Sequence, residues 1–152
     1  MLILYSGITG IVPAPSVKEK EFKQICYSLL GSNVLEFIEN GTLKNFYECI
    51  IKFKRRNIHI LLNRHYPFIA FTSARELNDL YLPFIDEPDL SKLFEQYYKV
   101  LSLYQLNEPL TYTQKRKNII VINENELHQD ELKELVFWKP RTIGEVVFNY
   151  WD

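Results

Sequence analysis

Residues 57–73 read NIHILLNRHYPFIAFTS, and this stretch decides the fold class. It holds two runs, NIHILLN and PFIAFTS, that are rich in the β-branched and aromatic residues typical of strands. The connection between them, RHY, is short enough to join neighbouring antiparallel strands. The stretch therefore predicts a β-hairpin near the middle of the chain.

The segment before this hairpin extends the predicted sheet. Asn40-Gly41 is the residue pair preferred in tight hairpin turns. Residues 43–54 fit two patterns: an alternating strand with Tyr47, Cys49 and Ile51 on one face, or a helix with Leu43, Phe46, Tyr47 and Ile50 on one face. Residues 33–72 together predict an antiparallel sheet, and the state of residues 43–54 is left open.

A helix is predicted on the N-terminal side of this sheet. Ser16 and Glu19 have the spacing of a capping box, S-x-x-E, which typically begins a helix. An apolar stripe follows at helical spacing and ends at Gly31; it comprises Phe22, Ile25, Cys26, Leu29 and Leu30. Before this helix, the apolar stretch ILYSG at residues 3–7 predicts a short strand.

Two more helices are predicted on the C-terminal side. Residues 86–89, DEPD, combine proline and carboxylates as in a helix start. The apolar stripe behind them comprises Leu90, Leu93, Phe94, Tyr97, Leu101 and Tyr104, which predicts one long second helix. Residues 117–123, KNIIVIN, predict a short buried strand, and residues 130–138 predict a third helix with Leu132, Leu135 and Val136 inward.

Residues 137–152, FWKPRTIGEVVFNYWD, form an aromatic-rich tail. Thr142 and Glu145 make a second capping-box pattern, and an apolar stripe follows that comprises Ile143, Val146, Val147, Tyr150 and Trp151. We therefore predict a short closing helix whose aromatic residues complete the core. The expected fold is α+β in a single domain, residues 1–152: a central antiparallel sheet flanked by helices, with an N-terminal helix after a short strand and a short C-terminal helix.

The sequence lacks the residue patterns that most catalytic mechanisms require. Nucleotide-binding and nucleophile-elbow motifs are absent, and the two cysteines, Cys26 and Cys49, fall on apolar faces, as buried free thiols do. The three histidines, His59, His65 and His128, are scattered and remain the only candidate bases for an enzyme. We expect no catalytic residues, no metal and no cofactor. The apolar runs are too short to span a membrane, and we expect a cytoplasmic protein.

One stretch carries an alternative function. Residues 52–64 interleave aromatic and apolar residues with five basic ones: Lys52, Lys54, Arg55, Arg56 and Arg64. Such a hairpin could bind nucleic acid through its cations, or it could be a solvated turn whose charges protect a sheet edge. The sequence pI of about 6.3 favours the second explanation.

Acidic residues are concentrated in the second half of the chain. Residues 76–152 carry fourteen acidic and eight basic residues, whereas residues 1–75 carry five acidic and ten basic ones. Clustered carboxylates could dock a basic partner or could simply stabilise helix starts. The candidate partner-binding residues are Asp79, Asp86, Glu87, Asp89, Glu124, Glu126, Asp130, Glu131 and Glu134.

The tail also resembles a known group of proteins. Its pattern is W-x-P-x3-G-x3-F-N-x-W-D, with Trp138, Pro140, Gly144, Phe148 and Trp151 as the defining residues. This ending is similar to that of bacterial immunity proteins encoded beside polymorphic or contact-dependent growth inhibition toxins.

The resemblance implies a cytoplasmic protein that binds the C-terminal domain of its cognate toxin, often a nuclease, and neutralises it by occluding the active site. In such a protein the acidic clusters would mimic phosphate toward a basic nuclease cleft. The five defining residues of the tail would then belong to the scaffold, and no catalytic residue is carried over.

Overall fold

The structure is a computed structural model that describes residues 1–39, 44–77 and 79–151. The predicted Asn40-Gly41 turn, Leu43 and Asp152 lie outside the described residues. Within them the chain has the predicted α+β fold. Sheet and helices are interspersed along the chain rather than alternating regularly, which agrees with a mostly antiparallel sheet.

A six-stranded sheet forms the centre of the fold. Five strands follow one another as antiparallel neighbours: β1 (Val34–Ile38), β2 (Phe46–Phe53), β3 (Arg56–Asn63), β4 (Phe68–Ser73) and β5 (Phe84–Ile85). The sixth, β6 (Lys99–Val100), pairs in parallel with β4, so the sheet is mixed rather than wholly antiparallel. A separate two-stranded hairpin consists of β7 (Tyr112–Lys115) and β8 (Asn118–Val121).

Helices precede, interrupt and follow the strands. They are α1 (Glu19–Leu30), α2 (Pro88–Phe94), α3 (Leu103–Leu106), α4 (Gln129–Trp138) and α5 (Ile143–Val147). No helix among the described residues has the length and apolar character needed to cross a bilayer.

Strand β2 resolves the ambiguity of residues 43–54. It pairs with β3 over eight residues, from Phe46 opposite Asn63 to Phe53 opposite Arg56, and with β1 on its other side. Because successive strand residues point to opposite faces, Cys49 and Ile51 face one layer while Phe46 and Glu48 face the other. Pairing on both edges favours the strand over the equally patterned helix.

The sheet lies between two hydrophobic layers. On one face, residues such as Ile60 and Phe71 pack with the buried sides of α1 and α2. On the other, residues such as Phe46 and Leu61 pack with the first eleven residues, α4 and α5. The second layer places the beginning of the chain and its aromatic tail on the same side of the sheet.

The first helix keeps its predicted stripe but not its predicted start. Phe22, Ile25, Cys26 and Leu30 are buried, and Gly31, with φ of 52°, ends the helix. Ser16 does not cap it, because the helix begins at Glu19 after an extended Lys18. The neighbouring Val17 N–H donates to the carbonyl of Arg64 instead, which holds this stretch against the β3–β4 connection.

The predicted long second helix is wrong. Helix α2 ends at Phe94, and the amide of Leu101 donates to the carbonyl of Ile69 in the sheet. Pairing with β4 therefore replaces helical hydrogen bonds beyond α2, and Tyr97, Leu101 and Tyr104 do not share a helix face. A short α3 follows, and Ser102 and Gln105 cap it reciprocally.

Two predicted strands also differ from the structure. The stretch at residues 3–7 contributes a single bridge, between Leu4 and Asn125, rather than a strand. Residues 118–121 do form β8, but only Val121 is buried, and Ile120 is exposed. A two-stranded ribbon can bury at most one of its two faces. The predicted strand is therefore present, but it is not buried as predicted.

The closing helix is shorter than predicted. Thr142 accepts a hydrogen bond from the Glu145 amide as a cap, but α5 ends at Val147 and the chain turns extended at Phe148. The carbonyl of Val147 accepts the side-chain amides of Asn45 and Asn63, at 2.9 and 2.8 Å. Those amides occupy an acceptor that a longer helix would use. Tyr150 and Trp151 therefore lie outside the helix that was predicted to include them.

Three buried asparagines tie the tail to the start of the chain. Asn45 and Asn63 each donate to the carbonyl of Ile8 as well as to that of Val147. The Asn149 side-chain amide donates to the carbonyls of Thr9 and Val146, and its side-chain oxygen accepts the backbone amide of Trp151. These amides satisfy backbone groups that no helix or strand pairs.

Candidate partner-binding groove

Most of the tail motif lies in the core. Pro140, Gly144, Phe148 and Trp151 are buried, and Phe148 packs edge-on to the ring of Phe46 from β2 at 5.8 Å. Trp138 differs, because 40% of its surface is exposed. Its assignment to the scaffold stays a prediction, since it lies partly exposed at the end of α4.

The outer side of the tail forms a groove of about 230 Å³, here called the C-terminal groove. Its apolar lining comes from both the tail and the segment before β5. The lining residues are Leu80, Leu82, Trp138, Lys139, Pro140, Arg141, Glu145, Phe148, Asn149, Tyr150 and Trp151.

Large apolar side chains are exposed around this groove. Two exposed lining residues, Leu80 and Trp138, and their exposed chain neighbours Tyr81 and Phe137 are together called the aromatic rim. The rings of Phe137 and Trp138 meet edge-to-face at 5.1 Å, and Phe137 is 72% exposed. Single exposed apolar residues are common, whereas a contiguous group beside a groove marks an interaction site.

The charged residues that line the groove are two cations, Lys139 and Arg141, and one carboxylate, Glu145. Lys139 and Arg141 flank Pro140 and are exposed, and the ion pairs of the described residues include neither of them. The neighbouring carboxylates are engaged locally: Glu134 accepts the indole N–H of Trp138 at 2.9 Å, and Glu145 accepts the amide of Arg141. Among the described residues, the groove therefore presents aromatic side chains, two cations without an ion-pair partner and the carboxylate of Glu145.

A buried ionic cluster lies behind the groove, centred on Glu48 of β2. The Glu48 carboxylate contacts Lys44 Nζ at 2.7 Å, His59 Nδ1 at 2.6 Å and Arg75 Nη1 at 2.7 Å. All four side chains are almost completely buried. Burial by itself raises the pKa of Glu48, but the hydrogen bond from His59 and the charges of Lys44 and Arg75 lower it to about 2.

Arg75 connects this cluster to both walls of the groove. One of its terminal nitrogens contacts Glu48, and the other donates to the hydroxyl of Tyr150 and to the carbonyl of Asp79 at 2.7 Å. Tyr150 lines the groove, and Asp79 directly precedes Leu80 of the aromatic rim. A single guanidinium thus fixes the tail relative to the segment opposite it.

Sequence reasoning missed this cluster. The available signal was a charged residue on the inward face of a strand, since Glu48 and His59 alternate with apolar positions that face the other layer. That signal was hidden because residues 43–54 also fitted a helix. Arg75 lies outside any strand, so its place in the cluster follows only from the folded chain.

Two of the predicted partner-binding acids are buried. Glu131 is fully buried and accepts the amides of Gly7, Thr9 and His128, which anchors the N-terminal loop to α4. Glu87 is buried against Lys54 and Arg56. Neither carboxylate is available to a partner, and both predictions are corrected.

The other predicted acids remain at or near the surface but do not form one face. Asp89 pairs with Lys54, Asp86 accepts the amide of Leu103, and Asp79 accepts the amide of Tyr81. Glu124, Glu126 and Asp130 are exposed before and at the start of α4, and Glu134 is half-buried beside Trp138.

The basic hairpin does not present a continuous cationic face either. Lys54 and Arg56 are the partners of Glu87 and Asp89, so the basic stretch and the first acidic cluster neutralise one another. The Arg64 guanidinium lies over the ring of Tyr47 at 5.0 Å. Only Lys52 and Arg55 of the five predicted cations are left exposed without such a contact among the described residues.

The three histidines occupy unrelated environments. His59 is held by Glu48, His65 contacts the carbonyl of Pro15, and His128 caps α4 by accepting the amide of Asp130. In the part of the chain that the structure describes, no group of three histidine, cysteine or carboxylate residues could hold a metal ion.

Comparison with known proteins adds no relative. No family model matches the chain, and neither a curated protein nor a solved structure is significantly similar to it.

Proposed function

We propose that the protein is an immunity protein that binds a cognate toxin domain through the C-terminal groove and neutralises it by covering its active site. The observation that carries the proposal is the aromatic rim, an exposed group of large side chains beside a preformed groove. Tryptophan and tyrosine dominate the energetically important centres of protein interfaces. The resemblance of the tail to immunity proteins supplies the class of partner, with a nuclease as the leading candidate.

The buried cluster supports a binding role over a catalytic one. Glu48 and His59 would be the natural acid–base pair, but both are almost fully buried and hydrogen-bonded to each other. Arg75 extends their contacts to Tyr150 and Asp79, so the charges hold the groove in shape. Binding costs less entropy when the surface is already ordered, which suits an inhibitor that must bind tightly.

The exposed acids retain a smaller part in this proposal. Glu124, Glu126 and Asp130 precede or begin α4, whose other end carries Trp138. Complementary charge outside the contact centre accelerates encounter more than it strengthens the complex. We therefore assign these three carboxylates to the attraction of a basic toxin domain, and the aromatic rim to its retention.

The test is a binding measurement with the toxin domain encoded beside this gene, in wild type and in Trp138→Ala. Removing a central aromatic contact should weaken binding by at least about thirtyfold, which corresponds to roughly 2 kcal/mol. Thermal unfolding should change little, because Trp138 is already partly exposed.

Tyr104→Ala is the matched control, since Tyr104 is 86% exposed on α3 and lines a different depression. It should leave affinity unchanged. Wild-type affinity in Trp138→Ala would exclude the groove as the contact face. If the protein neither binds nor protects cells against a toxin domain encoded beside it, the immunity role is refuted.

A further inference from the structure

We infer that the C-terminal groove receives an extended peptide segment whose large apolar side chain is flanked by carboxylates. The inference deepens the proposed function, on which it rests for the identity of the partner: the segment would belong to the toxin domain. The chemistry of the segment is set by the residues that line the groove.

The size and lining of the groove define the apolar part of the ligand. At about 230 Å³ it is smaller than the roughly 300–1,000 Å³ typical of small-molecule sites. Of its lining residues, Leu82, Phe148 and Trp151 are buried, whereas Tyr150 is half-buried and Trp138 is exposed. A space of this size and character fits one aromatic or large aliphatic side chain from a partner.

The rim charges define the flanking residues. Lys139 and Arg141 are exposed on either side of Pro140, and they take part in none of the ion pairs found among residues 1–39, 44–77 and 79–151. Glu134 and Glu145 already accept hydrogen bonds from Trp138 and from the Arg141 amide. Among the described residues, two cations without an ion-pair partner against one lining carboxylate favour a segment with carboxylates next to its apolar side chain over a basic one.

The two walls are fixed before any ligand arrives. Arg75 joins Tyr150 of the tail to the carbonyl of Asp79, next to Leu80. The groove therefore requires little rearrangement to accept a peptide, and rim substitutions that leave Arg75 intact should report on contact rather than on folding.

The experiment uses fluorescein-labelled peptides of nine residues and fluorescence anisotropy with the full chain. One peptide has tryptophan between pairs of aspartate, a second has it between pairs of lysine, and a third has alanine in place of tryptophan between the aspartates. We expect the first to bind at least about tenfold more tightly than the other two. The indole N–H of Trp138 should shift in its NMR spectrum when the first peptide is added.

The double variant Lys139→Glu and Arg141→Glu should reverse the preference toward the lysine peptide. Lys115→Glu with Lys117→Glu makes the same change in net charge on the β7–β8 hairpin, where both side chains are exposed, and should leave the preference unchanged. Because all four residues are exposed, each double variant should melt like wild type. Undetectable binding of the first peptide, equal binding of the lysine peptide, or an unchanged preference in the rim variant would overturn the inference.

The two proposals fail in different ways. Peptide selectivity without any toxin binding would refute the immunity role and leave the groove specificity standing. Toxin binding that is weakened by Trp138→Ala but insensitive to the rim double variant would keep the immunity role and exclude the carboxylate-flanked segment.

Discussion

At Glu48, three donor groups surround a carboxylate that water scarcely reaches. Lys44, His59 and Arg75 each contact it within 2.7 Å. Because the carboxylate is ionised, the His59 ring presents its Nδ1 hydrogen to it. A buried charge is tolerated only when such partners replace its hydration, so removing one partner would leave the others uncompensated.

The pH dependence of stability should carry the signature of Glu48. Its pKa is about 2 in the folded chain against an ordinary value of 4.5, so ionised Glu48 stabilises the fold fully above pH 4.5. This contribution, roughly 3 kcal/mol, should be lost as the pH falls from 4.5 toward 2. Urea unfolding at a series of pH values measures it.

The comparison variant is Glu48→Gln, which cannot titrate and should lack this part of the acid dependence. It should also be less stable at neutral pH, because Lys44 and Arg75 lose their counter-charge. An NMR titration that found Glu48 protonating near pH 4.5 in the wild-type fold would contradict the assignment without requiring the variant to fold.

At the scale of elements, sequence patterns predict a helix or hairpin correctly where contacts between nearby residues determine its extent. The stripe of α1 and its end at Gly31 were predictable, as was the β3–β4 hairpin. The long second helix was not, because the hydrogen bond from Leu101 to Ile69 joins residues 32 positions apart. The end of α5 at Val147 depends likewise on Asn45 and Asn63, whose amides no periodicity reveals.

The packing of α5 against its neighbours is tested by Gly144→Ala. A Cβ at Gly144 would lie 2.7 Å from Phe84 Cε2 and 2.9 Å from the carbonyl oxygen of Leu106. We expect a loss of about 2–3 kcal/mol in the free energy of unfolding, as for an overpacked core. Urea unfolding at constant m-value measures this loss.

Phe84→Leu removes the ring atoms that the new methyl group would contact. In that background Gly144→Ala should cost about 1 kcal/mol less, a coupling that a double-mutant cycle resolves. Strictly additive losses would show that the ring contact is not what requires glycine at this position.

For the whole molecule, the surface was harder to predict than the fold. Lys54 and Glu87 are 33 positions apart in the sequence, yet they form an ion pair. This pair joins one residue of the predicted basic surface to one of the predicted acidic surface, so their charges neutralise each other. Glu131 was counted as a surface acid and is a buried anchor for the N-terminal loop. Counts of charge along a chain do not contain these pairings, since they arise only when distant segments meet.

The tail should be separable into a core part and a contact part. Deleting residues 148–152 removes Phe148 and Trp151 from the second hydrophobic layer, along with the amide bonds of Asn149. Losing even one large buried aromatic costs about 3–5 kcal/mol, a large share of the stability of a typical domain. The truncated chain should therefore be unfolded by circular dichroism and by the collapse of NMR dispersion.

Trp138→Ala provides the contrast, because it should keep the native spectrum. A truncated chain that gave a dispersed, native-like spectrum and only failed to bind would show that residues 148–152 serve the interface and not the core.

The three buried asparagines also bear on how this protein ages. Spontaneous deamidation turns an asparagine into an aspartate, which lacks the two N–H donors that Asn45 and Asn63 each give to the carbonyls of Ile8 and Val147. In the folded chain these amides are immobilised and shielded from hydrolysis, whereas in the unfolded chain they are open to it. A molecule damaged at either position while unfolded would have to bury a carboxylate facing carbonyl oxygens, which should destabilise its native state. At Asn45 and Asn63 the folded state therefore protects the amides on which its own tail contacts depend.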